Sequence, residues 1–392
     1  MSSSAESSAE PQLAGRAERD LQYMRRALLL AERGLNSTDP NPRVGCVLVQ
    51  RRDGGERIVG EGWTAPIGGP HAEVRALRAA GTQAVGATAY ISLEPCAHYG
   101  RTPPCAQALI DAGIARVVYA ADDPNPLVNG AGAAALRAAG IPVIGGLLAG
   151  ESRGLNPGFF RRMQTGLPWV RLKLAASLDA RTALASGESR WITGEAARAD
   201  VQRWRARSSV VLTGSGTALA DDPALNVRLP GAERQPLRVL LDSALRVPPE
   251  ARLFAPPGQV LIFTASADAS RRALLQQRGV RVESAALAAN GAGLALEPIL
   301  RQLANRSANE VWIEAGARLA GAFVSADLVD ELIVYLAPRL LGEQARPLLQ
   351  LPAPARLADA QRLRFVECTQ IGEDLRLIAR PLVRGELRQA GE

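Results

Sequence analysis

The residues of this chain best equipped for chemistry lie in its first third: His71 and Glu73 flanking Ala72, then Cys96 after Pro95, then Cys105. One imidazole and two thiolates form a zinc donor set that leaves the fourth tetrahedral position free for water. A carboxylate two residues from the histidine is placed to move protons without joining the metal. Together these groups suit hydrolytic attack on a ring carbon bearing an amine, because the tetrahedral adduct collapses by expelling ammonia. The chain has two histidines, His71 and His98, and both fall within this stretch. A structural zinc knot ordinarily closes with a fourth Cys or His. Cys46, in a strand-like run, and Cys368, near the far end, do not obviously supply one. A zinc-stapled scaffold would also leave Glu73 without a purpose.

The elements that must position these groups follow from periodicity. Apolar spacing at Leu21, Met24, Leu28 and Ala31 predicts a helix over 19–34. Strands are expected at 44–50, 57–63 and 87–93, with a helix at 71–80 carrying His71 and Glu73 in its first turn. A helix starting at Cys105, strands at 115–121 and 141–147 and a helix at 133–139 complete a layered α/β pattern. The ligands then sit at strand ends and helix starts, where a pocket can open. Residues 1–18 are rich in Ser, Ala and Glu and read as a disordered tail. Gly, Asn and Pro punctuation over 150–166 places a domain boundary near residue 155, giving domains at 19–155 and 156–392.

A second α/β series follows, with strands at 169–175, 210–213, 237–241, 260–264, 310–314 and 331–337 and paired strands in the tail. Helices are expected at 195–206, 271–277 and 296–303. No G-x-G-x-x-G follows its first strand. Two glycine-bearing strand ends, Gly214-Ser215-Gly216 and Gly316 to Gly321, expose main-chain amides that can cradle a phosphate, though each alone also fits an ordinary loop. Two domains suit a chain of 392 residues. The net charge of +7 comes almost entirely from scattered arginines, with Lys173 the single lysine. Nucleic acid is therefore not an expected partner. No apolar run is long enough to span a membrane, and the four cysteines without a signal-peptide pattern point to the cytoplasm.

Eight residues separate Cys96 from Cys105, where nucleic-acid deaminases use C-x-x-C. This insertion, Ala97-His98-Tyr99-Gly100-Arg101-Thr102-Pro103-Pro104, is polar, basic and stiffened by prolines. With the blocks Asn41-Pro42-Arg43-Val44-Gly45-Cys46, His71-Ala72-Glu73-Val74, Glu94-Pro95-Cys96 and Asp123-Pro124-Asn125-Pro126, it resembles the bifunctional deaminase/reductase family of riboflavin biosynthesis. The resemblance continues through Lys173 to Asp179, Gly187 to Thr193, Thr217 to Pro223 and Val311 to Gly316. It implies a cytidine-deaminase-like three-layer domain followed by a dihydrofolate-reductase-like α/β domain. It also implies one Zn2+ per chain on His71, Cys96 and Cys105, with Glu73 as proton shuttle. Asn41, His98, Arg101, Asp123 and Asn125 would contact the first substrate. In the second domain Ala175, Trp191, Thr217, Asp221, Ser243 and the turn Gly316, Ala317, Arg318, Leu319, Ala320, Gly321, Ala322 would line NADPH. Ser189, Arg205, Leu225, Arg228 and Glu314 would meet the substrate, with Arg205 and Arg228 on its phosphate and Lys173 acting on the opening sugar. The implied reactions are deamination of 2,5-diamino-6-(5-phosphoribosylamino)pyrimidin-4-one and NADPH-dependent reduction of ribosyl to ribityl. A homo-oligomer is expected. The chain departs from the family pattern at Thr64, where a histidine is usual, and at Ala180, where glycine is.

Overall fold

The computed structural model describes residues 9–52, 55–97, 104–126, 128–232 and 234–382, the side chains being described from residue 15. The chain divides into two compact units, Met1–Thr165 and Gly166–Glu392.

The first unit contains α1 (Ala9–Glu32), β1 (Gly45–Arg52), β2 (Gly55–Trp63), α2 (Ala72–Ala80), β3 (Thr88–Leu93), α3 (Cys105–Asp111), β4 (Arg116–Ala121), α4 (Ala131–Ala138), β5 (Val143–Ile144), α5 (Ala149–Leu155) and α6 (Pro157–Thr165). Its sheet runs β2-β1-β3-β4-β5, with β1 antiparallel to both neighbours and β3, β4 and β5 parallel. Alternation along the strands sends side chains to two cores. Val47, Val49, Tyr90 and Val118 meet Met24, Ala27 and Leu30 of α1. Cys46, Leu48, Ile91 and Val117 meet Ala76, Leu109 and Leu136 on the opposite face. Covered on both sides, these strands read as near-continuous apolar runs. A Cβ on Gly62 would lie 2.2 Å from the Ala72 carbonyl oxygen, so glycine there lets β2 lie directly against α2.

Two expectations are corrected here. Residues 1–8 of the expected tail lie outside the described residues, but the chain is helical from Ala9, ahead of the expected start at residue 19. Ala, Glu, Gln, Leu and Arg are good helix formers that extend α1 toward the terminus. The units divide at 165/166 rather than 155/156, because α6 buries Phe159 and Phe160 in the first core.

The second unit contains β6 (Trp169–Ser177), β7 (Arg181–Ala183), α7 (Glu195–Arg207), β8 (Val210–Gly214), α8 (Ser215–Asp221), β9 (Leu237–Leu241), β10 (Val260–Thr264), α9 (Ala269–Gln277), β11 (Arg281–Ser284), α10 (Leu296–Asn305), β12 (Glu310–Glu314), α11 (Ala317–Ser325), β13 (Glu331–Ala337), β14 (Arg346–Pro347), β15 (Leu363–Ile371) and β16 (Asp374–Pro381). The nine-stranded sheet runs β11-β10-β9-β8-β12-β6-β13-β16-β15, and β7 pairs separately with β14. The first seven strands are mutually parallel, while β16 runs antiparallel both to β13 and to the edge strand β15. On one face Leu172, Leu212 and Ile313 pack against Leu303 and Phe323. On the other, Val211, Trp312 and Tyr335 pack with α7, where the Trp204 and Trp312 rings stack 5.6 Å apart. Parallel strands bring their carboxyl ends to one edge, where α/β sheets hold ligands.

Candidate metal centre and reductive cleft

In the first unit the donors come from three element ends. His71 is the N-cap of α2, with Glu73 in that helix's first turn. Pro95 ends the run of β3 before Cys96, and Cys105 opens α3. The His71 Nδ1 atom lies 3.2 Å from Cys105 Sγ and 3.7 Å from Cys96 Sγ, and all three donor atoms lie within 4.8 Å of one another. A tetrahedral zinc with Zn–S near 2.3 Å and Zn–N near 2.0 Å needs donors roughly 3.5–3.8 Å apart, so the residues fit the ion. The Cys105 main-chain N–H donates to Cys96 Sγ at 3.3 Å. The Cys96 thiol is held well below its ordinary range, first by a hydrogen bond from the Cys105 thiol and then by His71. The same thiol contact pushes Cys105 up.

Glu73 is buried. Burial raises its carboxyl to about 7, and the Cys96 thiolate adds to the rise. Asp123 is also buried and likewise rises to about 7, through burial first and then the nearby Glu94 charge. Its Oδ1 accepts from the Asn125 N–H at 2.8 Å, closing a turn. Asn41 lies just before Arg43, whose main chain is clamped by Asn156: Arg43 N–H donates to Asn156 Oδ1 and Asn156 Nδ2 donates to Arg43 O. His98 and Arg101 lie outside the described residues. Thr64 is buried, its Oγ1 accepting from the Val44 N–H at 3.1 Å. That hydroxyl thus ties the end of β2 to the start of β1.

The second unit holds a cleft of about 1490 Å³. Lys173, Ser189, Arg205, Leu225, Arg228 and Glu314 line it. Ala175, Trp191, Thr217, Asp221 and Ser243 do so too, as do Gly316, Ala317, Arg318, Leu319 and Ala322. Lys173 and Glu314 are register partners on β6 and β12, which puts both side chains on the α7 face. Burial lowers the Lys173 ammonium, against the pull of Glu314. Glu314 accepts from Arg205 Nε at 2.6 Å and Nη2 at 2.9 Å, and from Trp312 Nε1 at 2.9 Å. Despite burial, the Arg205 charge and hydrogen bonds carry its carboxyl down to about 2. The neighbouring strands β8 and β12 each lead through a glycine into a helix, and the Gly316 N–H donates to Thr217 Oγ1 at 3.0 Å. Gly216 lines the same cleft, and a Cβ there would meet nothing within 4 Å, so the start of α8 is open on that side.

The structure revises three assignments. Arg205 does not present an open fork to an anion: it is buried, grips Glu314 with two nitrogens and donates from Nη1 to Asn226 O. Residues 316–322 form the start of α11 rather than a turn, and helical geometry turns Ala320 and Gly321 away from the cleft. Ala320 is in the core, and a Cβ on Gly321 would lie 1.9 Å from Gln350 O. Leu225 buries its side chain at a φ of 53°, which leaves its main chain as the group that can meet a ligand. Two contributors escaped the sequence reading. Gln202 Oε1 accepts from the Arg228 N–H at 3.0 Å, and Glu94 is bonded to the Asp123 turn. Only the second had a signal, an acid immediately before Pro95-Cys96.

Comparison with known proteins gives a consistent picture. Residues 168–377 match the family RibD C-terminal domain, and residues 17–121 match the cytidine and deoxycytidylate deaminase zinc-binding region. Riboflavin biosynthesis protein RibD of Escherichia coli is 49% identical over 368 residues, spanning 91% of this chain and 98% of its own. The Haemophilus influenzae protein of the same name is 46% identical over 381 residues, spanning 92% of this chain and 97% of its own. Among solved structures, Acinetobacter baumannii RibD superposes with a TM-score of 0.86 at 45% identity, covering 94% of this chain and 100% of that one. A Thermotoga maritima diaminohydroxyphosphoribosylaminopyrimidine deaminase/5-amino-6-(5-phosphoribosylamino)uracil reductase superposes at 0.82 and 33% identity, with the same coverage.

Proposed function

The chain belongs to the RibD family of bifunctional riboflavin-biosynthesis enzymes, and on that premise we propose how its residues divide the two reactions. The enzyme hydrolytically deaminates 2,5-diamino-6-(5-phosphoribosylamino)pyrimidin-4-one and reduces the ribosyl group to ribityl, using Zn2+ and NADPH. The cytidine-deaminase-like domain precedes the dihydrofolate-reductase-like one.

The observation that carries the first site is the convergence of His71 Nδ1, Cys96 Sγ and Cys105 Sγ beside a buried Glu73. Zinc on those three donors supplies Lewis acidity that brings water into the neutral range of acidity. Glu73 takes the proton of the attacking water and hands it to the ring nitrogen, then takes the adduct's hydroxyl proton and delivers it to the amine, which leaves as ammonia. Asp123, Asn125 and Asn41 hold the pyrimidine, with His98 and Arg101 completing the set from the inter-cysteine loop. In the second site NADPH supplies the hydride, with Thr217, Asp221, Ser243 and the start of α11 against it. The half-buried Lys173 ammonium donates to the oxygen of the opening sugar, and Glu314 orients the substrate from the position Arg205 fixes. Arg228, the more exposed of the two guanidinium groups, takes the phosphate together with Ser189.

The substrate is a small phosphorylated pyrimidine, with nucleic acid and membranes outside the proposal and the cytoplasm as its setting. No helix among the described residues is long and apolar enough to cross a membrane. A homo-oligomer belongs to the same proposal, supported by exposed Phe365 and Val366 on the edge strand β15. Metal analysis of Cys96→Ser and Cys105→Ser tests the first site: both lose zinc, and full occupancy in both contradicts the ligand set. Arg228→Ala tests the second, raising the reductase KM for phosphorylated substrate while NADPH affinity holds. Loss of NADPH binding with substrate affinity kept would reverse the assignment of the cleft's two halves.

A further inference from the structure

Glu94 is an acid to which neither reaction gives a task. Its side chain is buried, and its partners are main-chain amides: Oε2 accepts from Asp123 N–H at 3.2 Å and Gly130 N–H at 3.0 Å, and Oε1 accepts from Ala133 N–H at 3.2 Å. Among the described residues no basic side chain pairs with it. An ionised carboxylate is acceptor-only, so it can take all three donors at once. Gly130, the N-cap of α4, offers no capping side chain. Glu94 supplies that cap from the end of β3, its negative charge set against the positive end of the helix.

An independent feature fixes the same joint. A Cβ on Gly132 would lie 1.8 Å from the Pro95 carbonyl oxygen, so α4 rests directly on the bend that delivers Cys96. Glu94 and Gly132 thus set the spacing between a zinc donor and the turn that carries Asp123 and Asn125.

We infer that Glu94 is a positioning residue for deamination, locking the Asp123 turn to the Cys96 strand end so that the pyrimidine is held in register with the metal. The inference rests on the reading that Asp123 meets the substrate. Glu94→Gln keeps the side chain's size but sets an amide donor against main-chain N–H groups. In the full chain it raises the deaminase KM roughly 10–100-fold, with kcat changed less. Zinc content and reduction of the already deaminated compound stay at wild-type levels. In an Asp123→Ala background the same substitution adds no further rise in KM, which a merely structural role would not produce. Should Glu94→Gln fail to fold, Gly132→Ala displaces the same joint with Glu94 intact and is expected to show the same KM effect. An unchanged KM in Glu94→Gln, or in Gly132→Ala where that variant stands in, beside a raised KM in Asp123→Ala, overturns the role of Glu94. An unchanged KM in Asp123→Ala overturns the substrate reading instead.

Discussion

Glu73 shows how one side chain's surroundings decide its work. Two residues from a zinc donor and buried, it has a carboxyl raised to about 7, a value suited to accepting and returning protons near neutrality. Glu73→Gln keeps the shape and removes the base. Zinc should remain while deamination falls by roughly 10²–10⁴-fold, measured by metal analysis beside a deaminase assay. Ala180 illustrates strain carried without benefit to chemistry. Its φ of 58° is the left-handed conformation that glycine adopts freely. Ala180→Gly should therefore stabilise the chain by about 1 kcal/mol, read from denaturant unfolding with reductase activity unchanged. The Arg205–Glu314 pair makes a pH-dependent prediction. Glu314 lies at about 2, below its ordinary 4.5, so the pair's stabilisation is complete above that ordinary value and fades as pH falls toward 2. The stability gap between wild type and Arg205→Gln should narrow over that window. A gap independent of pH would mean that Arg205 contributes through packing alone.

Elements explain why parts of the molecule were legible in sequence and others were not. The zinc donors lie in short blocks at strand ends and helix starts, so residue type and spacing announced them before any fold was known. Residues 149–165 gave the opposite signal. Gly150, Gly154, Asn156 and Pro157 punctuate the sequence as a linker would, yet Gly150 and Gly154 lie inside one helix, Pro157 opens the next and Asn156 caps the joint between them. There Asn156 clamps the main chain of Arg43, a long-range partnership that no local pattern encodes. The start of α11 read as a turn for a similar reason, since its Gly321 serves close packing against Gln350. Arg205 looked like an anion ligand because its type suits one, and only the fold reveals that Glu314 already holds it. Close packing also yields a test. Gly62→Ala would drive a methyl group into the main chain at the start of α2, costing about 1–3 kcal/mol. Because that turn carries His71 and Glu73, zinc content and deamination should fall while reduction persists. Retained zinc at wild-type affinity would show that β2 yields instead.

At the scale of the whole molecule, the chain forms two compact units, one holding the His71, Cys96 and Cys105 cluster and the other the cleft with Lys173 and Glu314. The ring amine is removed with the metal's help in one, and the sugar is reduced by a nicotinamide in the other. The scattered arginines fit this division better than they fit a polyanion surface. Their strongest contacts are internal pairs, such as Arg171 between Glu310 and Glu331. The most direct test supplies the diaminopyrimidine phosphate to the purified chain with and without NADPH, for wild type, Glu73→Gln and Lys173→Met, and identifies the products by mass. Wild type should stop at the deaminated ribosyl compound without NADPH and reach the ribityl compound with it. Lys173→Met should stop at the deaminated compound under both conditions, and Glu73→Gln should reduce that compound only when it is supplied ready-made. Reduction of the undeaminated substrate by Glu73→Gln, or loss of both activities in either folded variant, would contradict two separate sites acting in this order.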